Sequence, residues 1–128
     1  MTKKVISTDK APKAIGPYSQ AIKAGDFVYF SGQIPLVPET MKVVSDDFED
    51  QARQVFKNLS EVIKASGAGT DQVVKINLYL TDLSNFKYVN EIMTEYFSEP
   101  YPARAAVEVS ALPAGVQVEA EAVAYLGK

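Results

Sequence analysis

Residues 48–80 read FEDQARQVFKNLSEVIKASGAGTDQVVKINLYL, and their hydrophobic pattern changes period along the way. In the first half, apolar residues recur every three or four positions, as they do on the buried face of a helix. The members of this stripe are Phe48, Ala52, Val55, Phe56, Leu59, Val62 and Ile63. From residue 73 onward, apolar and polar residues alternate, which is the period of a half-buried strand. We predict a helix, capped by Asp46 with Glu49 and stopped near Gly67, followed by a strand over 73–80.

The flanking segments add three strands before this unit, and a helix and two strands after it. Upstream, we predict strands over 5–6, 19–24 and 27–34, rich in β-branched and aromatic residues. Downstream, we predict a helix with Ser84 as its N-cap, and then strands over 103–109 and 116–125. The order β-β-β-α-β-α-β-β indicates an α+β fold with one sheet and two helices, in a single domain spanning 1–128.

Both faces of the predicted sheet carry apolar side chains. In the strand over 27–34, Phe27 and Tyr29 point to one face, while Val28 and Phe30 point to the other. The last strand alternates in the same way. Two crossover helices cover only one face, so we expect the other face to pack against a second subunit. The alternative is that this face stays partly exposed, as many apolar atoms do.

Composition excludes several classes of protein and of site. The 128 residues contain no Cys and no His, which removes disulfides, thiolate nucleophiles, Ser–His pairs and the commonest metal ligands. The net charge of −3 gives no electrostatic footprint for nucleic acid. The longest apolar run is five residues, and no hydrophobic segment follows the N-terminal lysines. We therefore expect a cytoplasmic protein without a membrane span or secretory signal.

One of the two arginines breaks the pattern of its strand. Arg53 falls on the polar side of the first predicted helix, where a solvated charge is ordinary. Arg104 instead opens an apolar strand, on the same face as Ala106 and beside small neighbours. A planar guanidinium in a hollow is suited to binding a carboxylate through two parallel hydrogen bonds.

Two acidic residues interrupt the last strand. Glu119 and Glu121 project to the face that carries Val123 and Tyr125. If this strand pairs with the one that holds Arg104, an Arg–Glu pair would simply hold the sheet in register. Alternatively, Arg104 binds an anionic ligand and a carboxylate nearby handles protons.

Three further stretches are candidate sites without being specific. The turn at 16–19 includes Tyr18, and Ser31, Gly32 and Gln33 lie in an aromatic strand. A glycine inside a strand marks a bulge or a close backbone approach. Asn90 lies in the second predicted helix, where it either faces solvent or bonds a loop.

Three blocks of this sequence together resemble the Rid family, also called YjgF-type. The first block is 11–20 with 31–35, the second is 81–90, and the third runs from Tyr101-Pro102-Ala103-Arg104 to 118–122. The blocks are spread over nearly the whole chain. The resemblance implies a chorismate-mutase-like fold, with two helices on one face of a mixed sheet, assembled as a homotrimer with clefts between subunits.

The resemblance also implies hydrolysis of reactive 2-imino acids to 2-oxo acids and ammonia, without a cofactor or a metal. It implies that Arg104 binds the substrate carboxylate and that Glu119 acts on the attacking water. It places Tyr18, Ser31 and the backbone after Ser31 in the cleft. The family often has Cys where this chain has Ala106, and we expect backbone groups there to meet the ligand still. Gly32, Gln33 and Asn90 complete the predicted substrate-binding set.

Two other functions remain open from the sequence. The first is a non-catalytic protein that binds small carboxylates through Arg104 and reports to a partner. The second is a ribonuclease, an activity attributed to some relatives. The acidic balance and the absence of His argue against RNA cleavage by this chain.

Overall fold

The computed structural model of the chain describes residues 2–127 and places a mixed sheet against two helices. The strands are β1 (Lys3–Ile6), β2 (Ala21–Ala24), β3 (Phe27–Gln33), β4 (Leu36–Val37), β5 (Lys42–Val43), β6 (Val73–Leu80), β7 (Ala103–Glu108) and β8 (Val118–Tyr125). The helices are α1 (Phe48–Ala65) and α2 (Phe86–Tyr96). The main sheet has six strands in the order β1-β2-β3-β8-β6-β7, with β6 and β7 parallel and the other pairs antiparallel. The predicted α+β fold with one mixed sheet is confirmed.

The two helices lie where the sequence pattern predicts them, but their caps differ. The N-cap of α1 is Asp47, whose carboxylate accepts the backbone N–H of Asp50, and not Asp46. Ser84 is not the cap of α2, because a 3₁₀ turn over Leu83–Asn85 precedes that helix and is capped by Asp82. Neither helix is both long and apolar enough to cross a membrane, and residues 2–127 contain no other that is.

A short hairpin was not predicted. β4 and β5 pair with each other beyond β3, in the stretch between the predicted strand over 27–34 and the first predicted helix. Each of these strands has only two residues. A segment that short has no readable period, so its pairing is set by the turn between the strands.

The central position of β8 overturns the predicted pairing of the last two strands. β8 does not pair with β7; it lies between β3 and β6, antiparallel to both. β7 pairs only with β6, and in parallel, so it forms one edge of the sheet. The reason is that α2 is a crossover, which returns the chain parallel to β6 and leaves the opposite edge of β6 to β8. There β8 gains hydrogen bonds along both of its edges.

The helices cover one face of this sheet and leave the other open. The core side chains on the helix face are at most 3% exposed; they are Val28, Phe30, Ile76, Leu78, Leu80, Val118, Ala120, Ala122 and Ala124. On the open face, Phe27, Tyr29 and Tyr125 are 40%, 51% and 36% exposed. The Phe27 and Tyr125 ring centroids are 5.0 Å apart. As the sequence analysis predicts, the two helices of one chain leave an apolar sheet face without cover.

Candidate functional site

Arg104 is held in one orientation by three residues of α2. It lies opposite Ile76 in the β6–β7 register, so its side chain leaves the sheet on the helix face. Its Nη1 donates to Oδ1 of Asn90 at 2.7 Å and lies 3.5 Å from Sδ of Met93. Its Cζ lies 4.6 Å from the centroid of the Phe86 ring. A cation over an aromatic face is attracted by the ring quadrupole, so Phe86 stabilises the guanidinium without occupying its N–H donors.

No carboxylate neutralises Arg104 within residues 2–127. Both ion pairs in that part of the chain belong to Arg53, which bridges Glu49 at 3.2 Å and Glu95 at 2.9 Å. The predicted alternative, a cross-strand pair of Arg104 with Glu119 or Glu121, is therefore wrong. The physical reason is that β6 separates the two strands and that the arginine and these carboxylates leave the sheet on opposite faces.

A cavity of about 500 Å³ opens beside the guanidinium. Its walls combine the charged end of Arg104 and the Asn90 amide with apolar surface. The lining residues are Asn90, Met93, Thr94, Tyr101, Pro102 and Arg104. A mostly apolar hollow with a few convergent polar groups is typical of a binding site for a small organic molecule. Here the cation selects an anionic one.

Glu119 lies on the open face, away from Arg104. It is opposite Tyr79 of β6, and its half-buried carboxylate packs against the backbone of Gly32 in β3. Burial raises the pKa of Glu119 above its ordinary value, and the nearby charge of Glu121 raises it further. A carboxyl group with a raised pKa exchanges protons closer to neutral pH, as a general acid–base group must.

Gly32 is required where it stands because the Glu119 carboxylate occupies the place of a side chain. A Cβ on residue 32 would overlap Oε2 of Glu119 and would lie 2.9 Å from its Cδ. The register between β3 and β8 also shifts between Phe30 and Gln33. The predictions of a bulge and of a close approach at this glycine are both confirmed.

We expect Gly32→Ala to lower the turnover of the imino acids that the resemblance implies as substrates by about 10–10²-fold. The added methyl group would displace the Glu119 carboxylate, and a displacement of about 1 Å in a reacting group has an effect of that size. The fold should survive, since the flexible end of Glu119 yields to the added methyl group. Steady-state kinetics and thermal unfolding measure the two effects. In a Glu119→Gln background, Gly32→Ala should cost nothing further, because both changes act on one carboxylate. Additive losses would contradict this coupling.

A smaller cavity of about 110 Å³ gathers three other predicted residues. Tyr18, Gly32 and Gln33 line it together with the turn before β2. Tyr18 is 52% exposed and Gln33 is buried. The Ser31 hydroxyl donates to the carbonyl oxygen of Ser19 at 2.5 Å, so it joins β3 to this turn.

The structure thus divides the predicted site residues into two groups. Arg104 and Asn90 form one group on the helix face, with Ala106 two residues further along β7 and partly buried against the core. The second group lies at β3 and the turn before β2: Gly32 packs against the Glu119 carboxylate, Tyr18, Gly32 and Gln33 line the smaller cavity, and Ser31 bonds to Ser19.

The sequence analysis did not predict the contacts that α2 makes with Arg104. Phe86 and Met93 lie on the apolar side of α2, a pattern that core residues form equally well. The signal was their spacing: Phe86, Asn90 and Met93 lie four and three positions apart, and therefore on one side of α2. Nothing in the sequence distinguished Thr94 as a lining residue.

Comparison with known proteins gives matches over nearly the whole of this chain. Residues 8–126 match the family described as Endoribonuclease L-PSP. Reactive Intermediate Deaminase A, chloroplastic, of Arabidopsis thaliana is 53% identical over 97% of this chain and 66% of its own. The human 2-iminobutanoate/2-iminopropanoate deaminase is 46% identical over 99% of this chain and 93% of its own.

A solved structure agrees with these matches. The crystal structure of RidA from an Antarctic Psychrobacter species superposes with a TM-score of 0.91 at 52% identity, covering 95% of this chain and 98% of that one. The fold, the match over residues 8–126 and these identities lead to one conclusion. The chain belongs to the endoribonuclease L-PSP family, the family that is also called Rid or YjgF-type.

Proposed function

We propose that this protein hydrolyses small 2-imino acids, such as 2-iminobutanoate and the imine of 2-aminoacrylate, to 2-oxo acids and ammonia. The observation that carries this proposal is the Arg104 guanidinium, oriented by Asn90 and Phe86, free of any carboxylate in residues 2–127 and open to a cavity. It has the charge and the planar geometry to bind the carboxylate that every such substrate carries.

The chemistry needs only a fixed substrate and a proton carrier. Water adds to the imine carbon, the electron pair of the C=N bond moves to nitrogen, and Glu119 takes the proton that water loses and hands it to that nitrogen. In the resulting carbinolamine, Glu119 takes the hydroxyl proton and passes it to the amino nitrogen, the C–N bond breaks as the C=O bond forms, and ammonia leaves. Arg104 supplies orientation, which converts a random encounter into an aligned one.

The names of two relatives support this assignment. The plant and human proteins are named as a reactive intermediate deaminase and as a 2-iminobutanoate/2-iminopropanoate deaminase. Both align with more than nine-tenths of this chain. We extend their activity to this protein as part of the proposal.

We further propose that each complete site is formed by two copies of the chain. Within one copy, Arg104 and Glu119 are separated by β6, so their strands lie about 10 Å apart, and their side chains leave opposite faces. A small imino acid does not span that separation. If the Arg104 edge of one copy meets the Glu119 face of the next, the contact is heterologous, and a heterologous contact forms a ring when its rotation closes. A homotrimer is the ring that we propose.

The direct test of the activity generates the imine in the cuvette. A PLP-dependent dehydratase acting on serine or threonine releases it, and the release of 2-oxo acid is followed with and without this protein. We expect the protein to accelerate the release in proportion to its concentration. An unchanged rate at protein concentrations comparable to the dehydratase would refute the proposed function.

The assembly has its own prediction. We expect light scattering to give three times the chain mass, and Tyr29→Glu, a charge placed on the open face, to give a folded monomer without turnover. Circular dichroism checks the fold of the variant. Glu61→Gln, a change on the surface of α1, serves as the control and should stay trimeric. A wild-type monomer that turns over the imine would contradict the two-copy site.

RNA cleavage is the function that the family description suggests instead. The net charge of −3 opposes binding to a polyanion, because phosphate recognition depends on a basic surface. We therefore expect no salt-dependent RNA binding at the protein concentrations at which the imine assay shows turnover.

A further inference from the structure

The open face carries two carboxylates and a phenol in a fixed arrangement beside the proposed site. Glu119 and Glu121 are alternate residues of β8 and therefore share this face. On β6, Tyr79 is opposite Glu119, and Asn77 is opposite Glu121. Tyr79 therefore lies directly across from one carboxylate and diagonally across from the other, and a long side chain reaches a diagonal neighbour.

The Tyr79 hydroxyl is hydrogen-bonded to only one of these two carboxylates among the described residues. Tyr79 donates its hydroxyl hydrogen to Oε1 of Glu121 at 2.5 Å. Glu119 accepts no hydrogen bond from any residue in 2–127. The bond to Glu121 raises the pKa of Tyr79 to about 12, so the phenol keeps its proton and remains a donor at neutral pH.

We propose that Tyr79 and Glu121 form a positioning pair for Glu119: the Tyr79 hydroxyl holds the Glu121 carboxylate in place beside Glu119, and Glu119 is left as the carboxylate that takes up and returns the proton. This inference rests on the proposed function of Glu119 and deepens it. When two neighbouring titratable groups have such different surroundings, the difference assigns their roles.

The other groups on this face do not cancel the charge of Glu121. Lys75 lies on β6 opposite Val123, one row beyond Glu121, and no ion pair within 4.0 Å joins it to Glu121 in the described chain. β3 contributes the neutral Gly32 and the phenol of Tyr29. β7 contributes Ala105 and Val107, which carry no charge. Both helices pack on the other face of the sheet.

The test measures the protonation of Glu119 directly and through activity. In the full-length protein, carbon-detected NMR follows the chemical shifts of the side-chain carboxyl groups as the pH is changed. The Glu119 signal is assigned as the one that is missing from the spectrum of Glu119→Gln. We expect Glu121→Gln to lower the Glu119 midpoint by roughly 0.5–1 pH unit, since it removes a nearby negative charge. Tyr79→Phe should lower it by less, because the Glu121 charge remains but is no longer fixed. The limb of the kcat/KM profile that belongs to Glu119 should move in the same direction.

Glu61→Gln is the matched control, since it removes one negative charge from α1 on the other side of the sheet and should leave the midpoint in place. If both Tyr79→Phe and Glu121→Gln leave the Glu119 midpoint unchanged, the pair only holds β6 to β8 and the inference is overturned. If the Glu119 midpoint moves in the variants but the wild-type protein does not turn over the imine, the pair is supported and the proposed function is rejected. Should Glu121→Gln fail to fold, the conservative Tyr79→Phe decides the question alone.

Discussion

Arg104→Ala is expected to lower kcat/KM for imine hydrolysis by about 10²–10⁴-fold. The guanidinium would bind the substrate carboxylate through two charge-assisted hydrogen bonds, each contributing roughly 1.5–3 kcal/mol, and each 1.4 kcal/mol corresponds to a factor of ten in rate. The loss is measured in the dehydratase-coupled assay. The fold should be kept, because Arg104 is exposed and bridges no carboxylate in residues 2–127.

Two substitutions make this prediction specific to the geometry. Arg104→Lys keeps the positive charge but loses the planar pair of donors, so it should recover only part of the activity. Arg53→Ala removes the other arginine, which lies on α1 and pairs with Glu49 and Glu95, and it should leave turnover unchanged. Undiminished turnover in Arg104→Ala would refute the carboxylate-binding role.

Glu119→Gln is expected to abolish most of the turnover while the protein still binds a 2-oxo acid. The amide keeps the size of the side chain and cannot carry the proton, and general acid–base catalysis typically contributes about 10²–10⁴-fold. Binding of 2-oxobutanoate, measured by calorimetry, should stay within a few-fold of the wild type. This outcome separates the enzyme from a carboxylate-binding regulator. A wild-type protein that binds the 2-oxo acid without any turnover would favour the regulator.

The same substitution should also make the protein more stable at neutral pH. The pKa of Glu119 is raised by burial and by Glu121, so the folded state binds more protons than the unfolded state just above pH 4.5. The free energy of unfolding therefore falls as the pH rises toward the folded-state pKa, and above that pKa the ionised Glu119 destabilises the folded state by its full amount. Glu119→Gln removes this destabilisation. The gain should be no more than about 1 kcal/mol, because solvent screens a half-buried group. Denaturant titrations at pH 4 and pH 7.5 check this sign; a variant less stable than the wild type at pH 7.5 would contradict it.

Much of the fold could be predicted from local pattern alone. The alternation over 73–80 and the helical stripe over 48–63 identified β6 and α1. Such patterns predict secondary structure because a strand or a helix repeats its geometry within a few residues. Apolar residues on the buried face therefore recur at the period of that element. The caps were placed one or two residues off, since the side chain that bonds the first free N–H depends on how the chain enters the helix.

The candidate site was predicted as a set of residues but not as an arrangement. Arg104 and Glu119 were recognised because polar groups interrupt apolar strands. Their expected proximity was wrong, since it assumed that consecutive strands pair, which holds often but not here. The aromatic support of Arg104 by Phe86 was hidden for another reason: a ring that stacks on a cation and a ring in the core have the same helical spacing.

By itself, the sequence determined the two helices and the six strands of the main sheet, the alternation of faces along the longer strands, and the chemistry available without His or Cys. Only the tertiary structure decided that β8 enters between β3 and β6, that Glu119 rests on Gly32, and that Arg104 leaves the sheet on the opposite face. The physical reason is the distance along the sequence over which each feature is decided. Periodicity records which side of a strand is buried, whereas the choice between partner strands far apart in sequence depends on how the crossover helix and the whole core pack together.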